Sequence, residues 1–490
     1  MWPKPLEEFF VATNRQLIGG EWVDARGGGT WDLHNPASEN VLEQIPYGRG
    51  EHAAADTVAA IDAADAAREG WAATNPYKRA AILLKAAGII HERRDEYARL
   101  TTEESGKPFA QSKAEWGTPG AFLSFMGEEA KRLGGRIIPS RSHGRRMDVT
   151  YMPLGVVGII TAWNFPIYNV VRAASAALAA GNTVIVRPSE HTPRSAMALG
   201  EALTDAGLPP GVFNVINGDP DPMGKTMLDD HRLRKIQFTG SVRVGKLLMD
   251  GASRTVTKLS LELGGNAPVL IFPDADIESV AQSAVKTKFR NGGQVCIAPQ
   301  RFFVHEAVAE QFTKATSMLS EQEIVGDGMH PDTTIGPLIN QSQLERVSRI
   351  VADSASAGGR IVTGGQEMEG AGYFFQPTVM ADVPHDSPVM TEEIFGPVMP
   401  ITPFDNLDDV IHRANSVNVG LAAYVWTEDL KTALKVSDAL EFGLVGVNDW
   451  APGSPEAPFG GMKESGIGRE AGLEGLMEYV EPKTRVFGSL

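Results

Sequence analysis

The one cysteine of the chain, Cys296, sits in KFRNGGQVCIAPQRFFV, directly after a glycine pair and beyond a stretch whose pattern predicts a helix. Glycines there let backbone and ligand approach the thiol closely. A thiol that titrates near about 8.5 is protonated at neutral pH, so a nucleophilic role needs a base, a cation or another route to the thiolate. No histidine lies nearby in sequence, which tells against a Cys–His hydrolase unless a distant histidine folds close. A lone cysteine can equally be a small buried hydrophobe. Glu262, in LSLELGGN, is a carboxylate inside an apolar strand pattern. Buried, it would be pushed toward the pKa of a useful base; pointing to solvent, it is only a strand-end glutamate. Asn164, in TAWNFPIYN, follows another apolar strand. Its amide can donate to an oxyanion, or merely shape the turn before Phe-Pro.

Two further stretches have the chemistry of nucleotide contacts. In QFTGSVRVGKLLM, Gly240 ends a strand and a helix opens near Gly245. A Gly-x-x-x-x-Gly turn at a helix N-terminus can receive a pyrophosphate. In VIVRPSEHTP, Arg187 and Glu190 stand just beyond a strand's carboxyl end, where open sheets bind nucleotides. A carboxylate at Glu190 can accept from ribose hydroxyls and repel a 2′-phosphate, or it can cap the following helix.

These side chains need a scaffold, and the pattern from Val156 onward predicts one. VVGIITAW, VVRAASAALAAG, TVIVRP and PRSAMALGEAL alternate Val/Ile-rich runs with Ala-rich amphipathic stretches, a rhythm that continues through VFNVIN and KIQFTG. That rhythm implies parallel strands joined by crossover helices. After VTKLSLELGG it restarts with APVLIF, a helix near Asp276–Arg290 and RFFVHE, which predicts a second α/β unit. Residues 134–153 and 476–490 break the pattern as extended, β-forming arms of the kind that pair across subunits. The N-terminal hundred residues carry mainly helical patterns, and no internal repeat is found. A chain of 490 residues exceeds one ordinary core. A net charge of -16 disfavours nucleic acid and anionic membrane as partners. One cysteine excludes an internal disulfide and a cysteine-rich metal site, and no metal is expected. MWPKPLEEFFVATN has neither a basic start nor a sustained apolar run, so a cytoplasmic location is expected.

In combination and in this order, TAWNFP, RPSEHTP, FTGSVRVG, LELGGN, FRNGGQVC, EEIFGPV and PFGGMKESGIGRE resemble the aldehyde dehydrogenase superfamily, as do GGEWVDA and NPAS near the start. The resemblance covers essentially the whole chain. It implies an α/β fold with a Rossmann-like NAD domain (1–133 and 154–260), an α/β catalytic domain (261–475) and a small β oligomerisation arm (134–153 and 476–490), assembled as a homodimer or homotetramer. It implies that Cys296 attacks an aldehyde, that Asn164 and the Cys296 N–H hold the oxyanion, and that Glu262 activates the water that hydrolyses the thioester. Glu470 matches a glutamate implicated in proton relay. Ile160, Thr161, Trp163, Arg187, Ser189, Glu190, Gly218, Gly240, Ser241, Gly245, Leu263, Glu393 and Phe395 match cofactor contacts, for NAD with NADP possible. Two positions depart from the family pattern, Arg187 where lysine is usual and Ala173 where lysine is common.

Arg172, Arg290 and Ser454 match positions that bind the substrate carboxylate in succinate-semialdehyde dehydrogenases, and two guanidinium groups suit a short anionic semialdehyde. Arginines at the first two positions also occur in relatives with neutral substrates, where they are structural. Trp450, expected near the substrate mouth, suits an aromatic or hydroxylated aldehyde instead. Readings from other classes are a cofactor-free thiol esterase or hydrolase and a non-catalytic homologue. Retention of Cys296, Glu262 and Asn164 together argues against the latter.

Overall fold

The computed structural model describes residues 15–488; MWPKPLEEFFVATN, and with it the reading of the N-terminus, lies outside them. The first parallel set begins with Val156–Ile160, a buried apolar run. It continues through Thr183–Arg187 and Phe213–Val215 on one side, then Leu233–Thr239 and Lys258–Glu262 on the other. The order therefore reverses between Val156–Ile160 and Leu233–Thr239, which register in parallel. A crevice opens at the carboxyl ends of two strands whose crossovers leave in opposite directions. Helix Pro166–Ala180 starts with proline at its first turn and ends at Gly181 in a left-handed conformation, so both ends are set locally.

The chain leaves the first sheet at Glu262 and enters the second at Ala267–Ile271. That seven-stranded sheet places Pro299–His305 and Ala422–Trp426 on either side of Ala267–Ile271, all parallel. Four residues therefore separate the last parallel strand of one sheet from the first of the next, and the active groups of both meet there. Gly466–Ile467 returns to pair antiparallel with Leu261 and Glu262, bringing Glu470 back to the first sheet.

The N-terminal region differs from the mainly helical expectation. Four short strands, Gln16–Ile18, Glu21–Val23, Thr30–His34 and Val41–Pro46, precede the helices Glu51–Ala73, Pro76–Glu92 and Arg94–Ser105. Strands of three to six residues broken by glycine pairs are too short for alternation to register in the sequence. Beyond the two sheets, Val480–Gly488 pairs antiparallel with Arg145–Pro153, which pairs in turn with Arg136–Ile138. Residues 476–477 of the expected arm instead end the helix Gly472–Met477.

One buried ion pair braces the crevice. Lys107 and Glu115, each 1% exposed, are in contact. The Lys107 ammonium also donates to the Asn164 carbonyl (3.0 Å) and lies over the Phe165 ring (3.9 Å). Glu115 accepts from the N–H groups of Ile167 and Tyr168 at the start of helix Pro166–Ala180, both at 3.2 Å. A carboxylate at a helix N-terminus is stabilised by the orphan N–H groups it satisfies. Removing one member of such a pair strands the other charge, so Lys107→Met is expected to lower unfolding free energy by about 3–5 kcal/mol in denaturant titration. A loss below about 1 kcal/mol would show that the brace is not needed.

Candidate active site

A cavity of about 650 Å³ lies where the two sheets meet. The turn that presents Cys296 is built by Asn291, Gly292 and Gly293, three consecutive residues at positive φ. A side chain at Gly293 would strike the Gly396 carbonyl at 2.1 Å, so only glycine fits there. Asn291 Nδ2 donates to the Asn164 carbonyl at 2.9 Å, and Asn164 Nδ2 donates to the Gln294 carbonyl at 3.1 Å. The cysteine turn and the asparagine loop are thus one hydrogen-bonded unit. Tyr424 adds a third hold, donating to the Ile297 carbonyl at 2.6 Å.

Cys296, Asn164 and Glu262 all line this cavity. Glu262 is 4% exposed, which removes the solvent-facing alternative, and its Oε2 has no hydrogen-bond partner among the described residues. Burial raises its pKa well above the carboxylate range, and repulsion from Glu470 adds to this while Arg172 opposes it. Burial likewise pushes the Cys296 thiol up to about 12, with Arg172 opposing. The resting thiol is therefore protonated and must lose its proton in the course of attack.

Glu470 does not reach the cavity wall. It is buried behind Arg172 and paired with it. The Arg172 guanidinium is sandwiched over Phe459 (4.1 Å) and Tyr168 (5.0 Å). Burial works against its charge, but Glu470 and its other neighbours hold it protonated. Arg172 lines the cavity with its charge already matched, whereas Arg290, exposed and against the Phe165 ring (5.4 Å), has no carboxylate partner among the described residues. Ser454 and Trp450 line the same cavity from the loop after strand Leu444–Val447. Trp450 packs in tilted contacts with its ring centroid 4.9 Å from that of Trp426 and 5.1 Å from that of Tyr424.

The residues expected to hold a cofactor fall into two groups. Trp163, Gly240, Ser241, Leu263, Glu393 and Phe395 line the cavity. Arg187, Glu190 and Gly218 form a second cluster outside it, with the Arg187 guanidinium donating to Glu190 (2.8 Å) and to the Gly218 carbonyl (3.1 Å). Glu190 does not cap the next helix, which begins at Arg194 without a side-chain cap. Ser189 and Ile160 flank these groups at strand ends, and Ser241 caps helix Val242–Ala252 by accepting from the Val244 N–H at 3.4 Å. A dinucleotide fits this crevice. Thr161 Oγ1 and Thr239 Oγ1, at the ends of the two switch-point strands, are buried without partners among the described residues. At Gly245 an added carbon would press on Leu263 at 2.8 Å, keeping the helix start close to the sheet. Glu393, raised to about 7 by burial, accepts from Gly265 N–H at 3.1 Å.

Sequence reasoning missed Lys107, Glu115, Asn291, Gln294 and Asn169. The first two lie in a helical region with no local sign of a site. Asn169 carried one signal, a polar residue three positions before Arg172 in a mostly apolar helix.

Glu470→Gln removes a negative charge that raises the Glu262 pKa. The carboxylate form of Glu262 should then persist to lower pH, read as a downward shift in the titration of the infrared carboxylic-acid band that Glu262→Gln abolishes. An unmoved band would contradict the coupling.

Residues 22–485 match the Aldehyde dehydrogenase family. The chain is 41% identical to the NADP(+) succinate-semialdehyde dehydrogenase of Escherichia coli, over 96% of this chain and 97% of that protein. It is 38% identical to the glutarate-semialdehyde dehydrogenase of Pseudomonas aeruginosa, over 99% and 100%. The crystal structure of an aldehyde dehydrogenase from Brucella melitensis biovar abortus superposes with a TM-score of 0.96 at 38% identity, covering 100% of both chains. With the full length matched and the aldehyde dehydrogenase fold confirmed, this chain belongs to the aldehyde dehydrogenase family and is an enzyme of aldehyde oxidation.

Proposed function

We propose that this enzyme oxidises a short aldehyde bearing a terminal anion to the carboxylic acid, with NAD preferred, through a thioester on Cys296. The observation that carries the proposal is the meeting of Cys296, Asn164 and Glu262 in one cavity whose unmatched cation is Arg290, among the described residues. The Cys296 sulfur attacks the aldehyde carbon as the thiol proton passes to the Glu262 carboxylate in the same cavity, which hands it on to solvent before acting again, and the carbonyl oxygen becomes an oxyanion. Asn164 Nδ2 has one N–H committed to Gln294 and a second to offer that oxygen, together with the Cys296 N–H. A nicotinamide dinucleotide held in the crevice would supply the hydride acceptor that the oxidation requires, and Cys296 would then carry the acyl group as a thioester. Glu262 then takes a proton from water, the hydroxide attacks the acyl carbon, and the sulfur leaves as thiolate. A carboxylate with a raised pKa is matched to that task.

None of the ten histidines lines the cavity, so a thiol hydrolase of the Cys–His kind has no base to draw on. Arg187, Glu190, Thr161, Gly240 and Ser241 would hold the dinucleotide. Burial alone would raise the Glu190 pKa, but Arg187 keeps it below the usual range, so a negative charge faces any 2′-phosphate. That favours NAD, whereas the E. coli relative is named for NADP. Both relatives are named for semialdehydes of dicarboxylic acids, whose far carboxylate suits Arg290 and Ser454. Arg172, neutralised by Glu470, acts as a supporting wall. The packing of Trp450 against Trp426 and Tyr424 favours a second reading, an aromatic or hydroxylated aldehyde at the mouth. The three-stranded arm leaves Ile137, Met152 and Val486 exposed, which suits pairing with another copy into a dimer or tetramer. No helix among the described residues is long and apolar enough to cross a membrane.

Arg290→Ala is expected to raise KM for succinate semialdehyde by about tenfold or more, with little change for butanal of similar length. Equal effects on both, or faster turnover with NADP than NAD, would contradict the anion and cofactor assignments respectively.

A further inference from the structure

Asn169 is a buried polar residue of the cavity that the mechanism above leaves without a task. It stands on helix Pro166–Ala180 three residues before Arg172, is 5% exposed, and lines the same cavity as Cys296. Its Nδ2 donates to Asn164 Oδ1 at 3.3 Å. That bond fixes which way the Asn169 amide points, since its nitrogen must face Asn164 and its oxygen must turn elsewhere. Asn169 Oδ1 has no protein donor among the described residues. In the free enzyme water can serve it, but a substrate that fills the cavity displaces water. An amide oxygen left dry in an enclosed site is costly, so a substrate that brings a donor to it is preferred over one that does not.

The position of that donor follows from Asn164. Asn169 touches the side chain that cradles the reacting oxygen, so the donor must sit close to the carbonyl. We propose that Asn169 is a specificity-determining residue that accepts a hydrogen bond from a hydroxyl on the carbon beside the aldehyde, selecting α-hydroxy aldehydes. This deepens the reading of Cys296 and Asn164 given above and rests on it. The hydroxyl donates to Asn169 Oδ1 while the carbonyl oxygen receives Asn164 Nδ2, so two adjacent oxygens of the substrate meet two adjacent amides. At the other end, Arg290 is free to take a terminal anion.

The test uses two pairs of aldehydes that differ only in that hydroxyl: succinate semialdehyde with its 3-hydroxy derivative, and propanal with lactaldehyde. kcat/KM, counted on free aldehyde, is measured with NAD for the wild-type enzyme and for Asn169→Leu. The wild type should favour the hydroxylated member of each pair by about tenfold, and Asn169→Leu should bring that ratio to near one. Loss of the hold on Asn164 lowers both members together, so the ratio isolates the hydroxyl. Equal kcat/KM within the pairs for the wild type overturns the inference, as does a variant that slows both members and leaves a wild-type preference intact. Turnover of the neutral pair without preference for the anionic one would remove the anion reading alone, and the propanal–lactaldehyde ratio would still decide the role of Asn169.

Discussion

Everything in the cavity depends on one buried positive charge. Cys296 and Glu262 on the cavity wall and Glu470 behind it lie in surroundings that disfavour each of them in its charged form, and burial raises all three pKa values. Arg172 offsets that burial at each of them. It is held protonated by Glu470, clasped between the rings of Phe459 and Tyr168, and fixed on a helix that is itself buried along nearly its whole length. A fixed cation there lowers the cost of forming thiolate or carboxylate without moving at the moment of reaction. The same pairing explains why Arg172 is a weak anchor for a substrate anion, and why that task falls to Arg290.

Around this charge the backbone is over-determined. Two sheets end within four residues of each other between Glu262 and Ala267, so the base and the cysteine turn arrive from different sheets. The link between them is polar: Asn164, Asn291 and Gln294 bind one another, and Lys107 and Glu115 bind the same loop from behind. Close approaches at Gly265 and Gly293, where an added carbon would meet backbone at 2.7 and 2.1 Å, leave no slack for the thiol to drift. Holding reacting groups in place in this way is worth more to a covalent mechanism than any single contact.

The strand–helix rhythm from Val156 onward was legible because buried parallel strands read as unbroken Val/Ile runs, but the switch point was not, because the order of strands in the sheet is set by tertiary pairing. Cys296, Glu262 and Asn164 were legible as chemistry, since each interrupts an apolar or glycine-rich stretch. Their convergence was not, because it depends on contacts across more than a hundred residues, as in the bond between Asn164 and Gln294. The neutralisation of Arg172 by Glu470 was invisible for the same reason: an arginine's charge can be read from sequence, its partner nearly three hundred residues away cannot. The short N-terminal strands escaped because three to six residues carry too little periodicity.

An acyl group carried on Cys296 and released by Glu262 is the central chemical event of this enzyme. Glu262→Gln mixed with aldehyde and NAD, quenched in acid and weighed by mass spectrometry, should gain the mass of the acyl group on the peptide containing Cys296. Omission of NAD should leave that thioester absent. An acyl group on another residue, or a variant that turns over at the wild-type rate with no adduct, would contradict it.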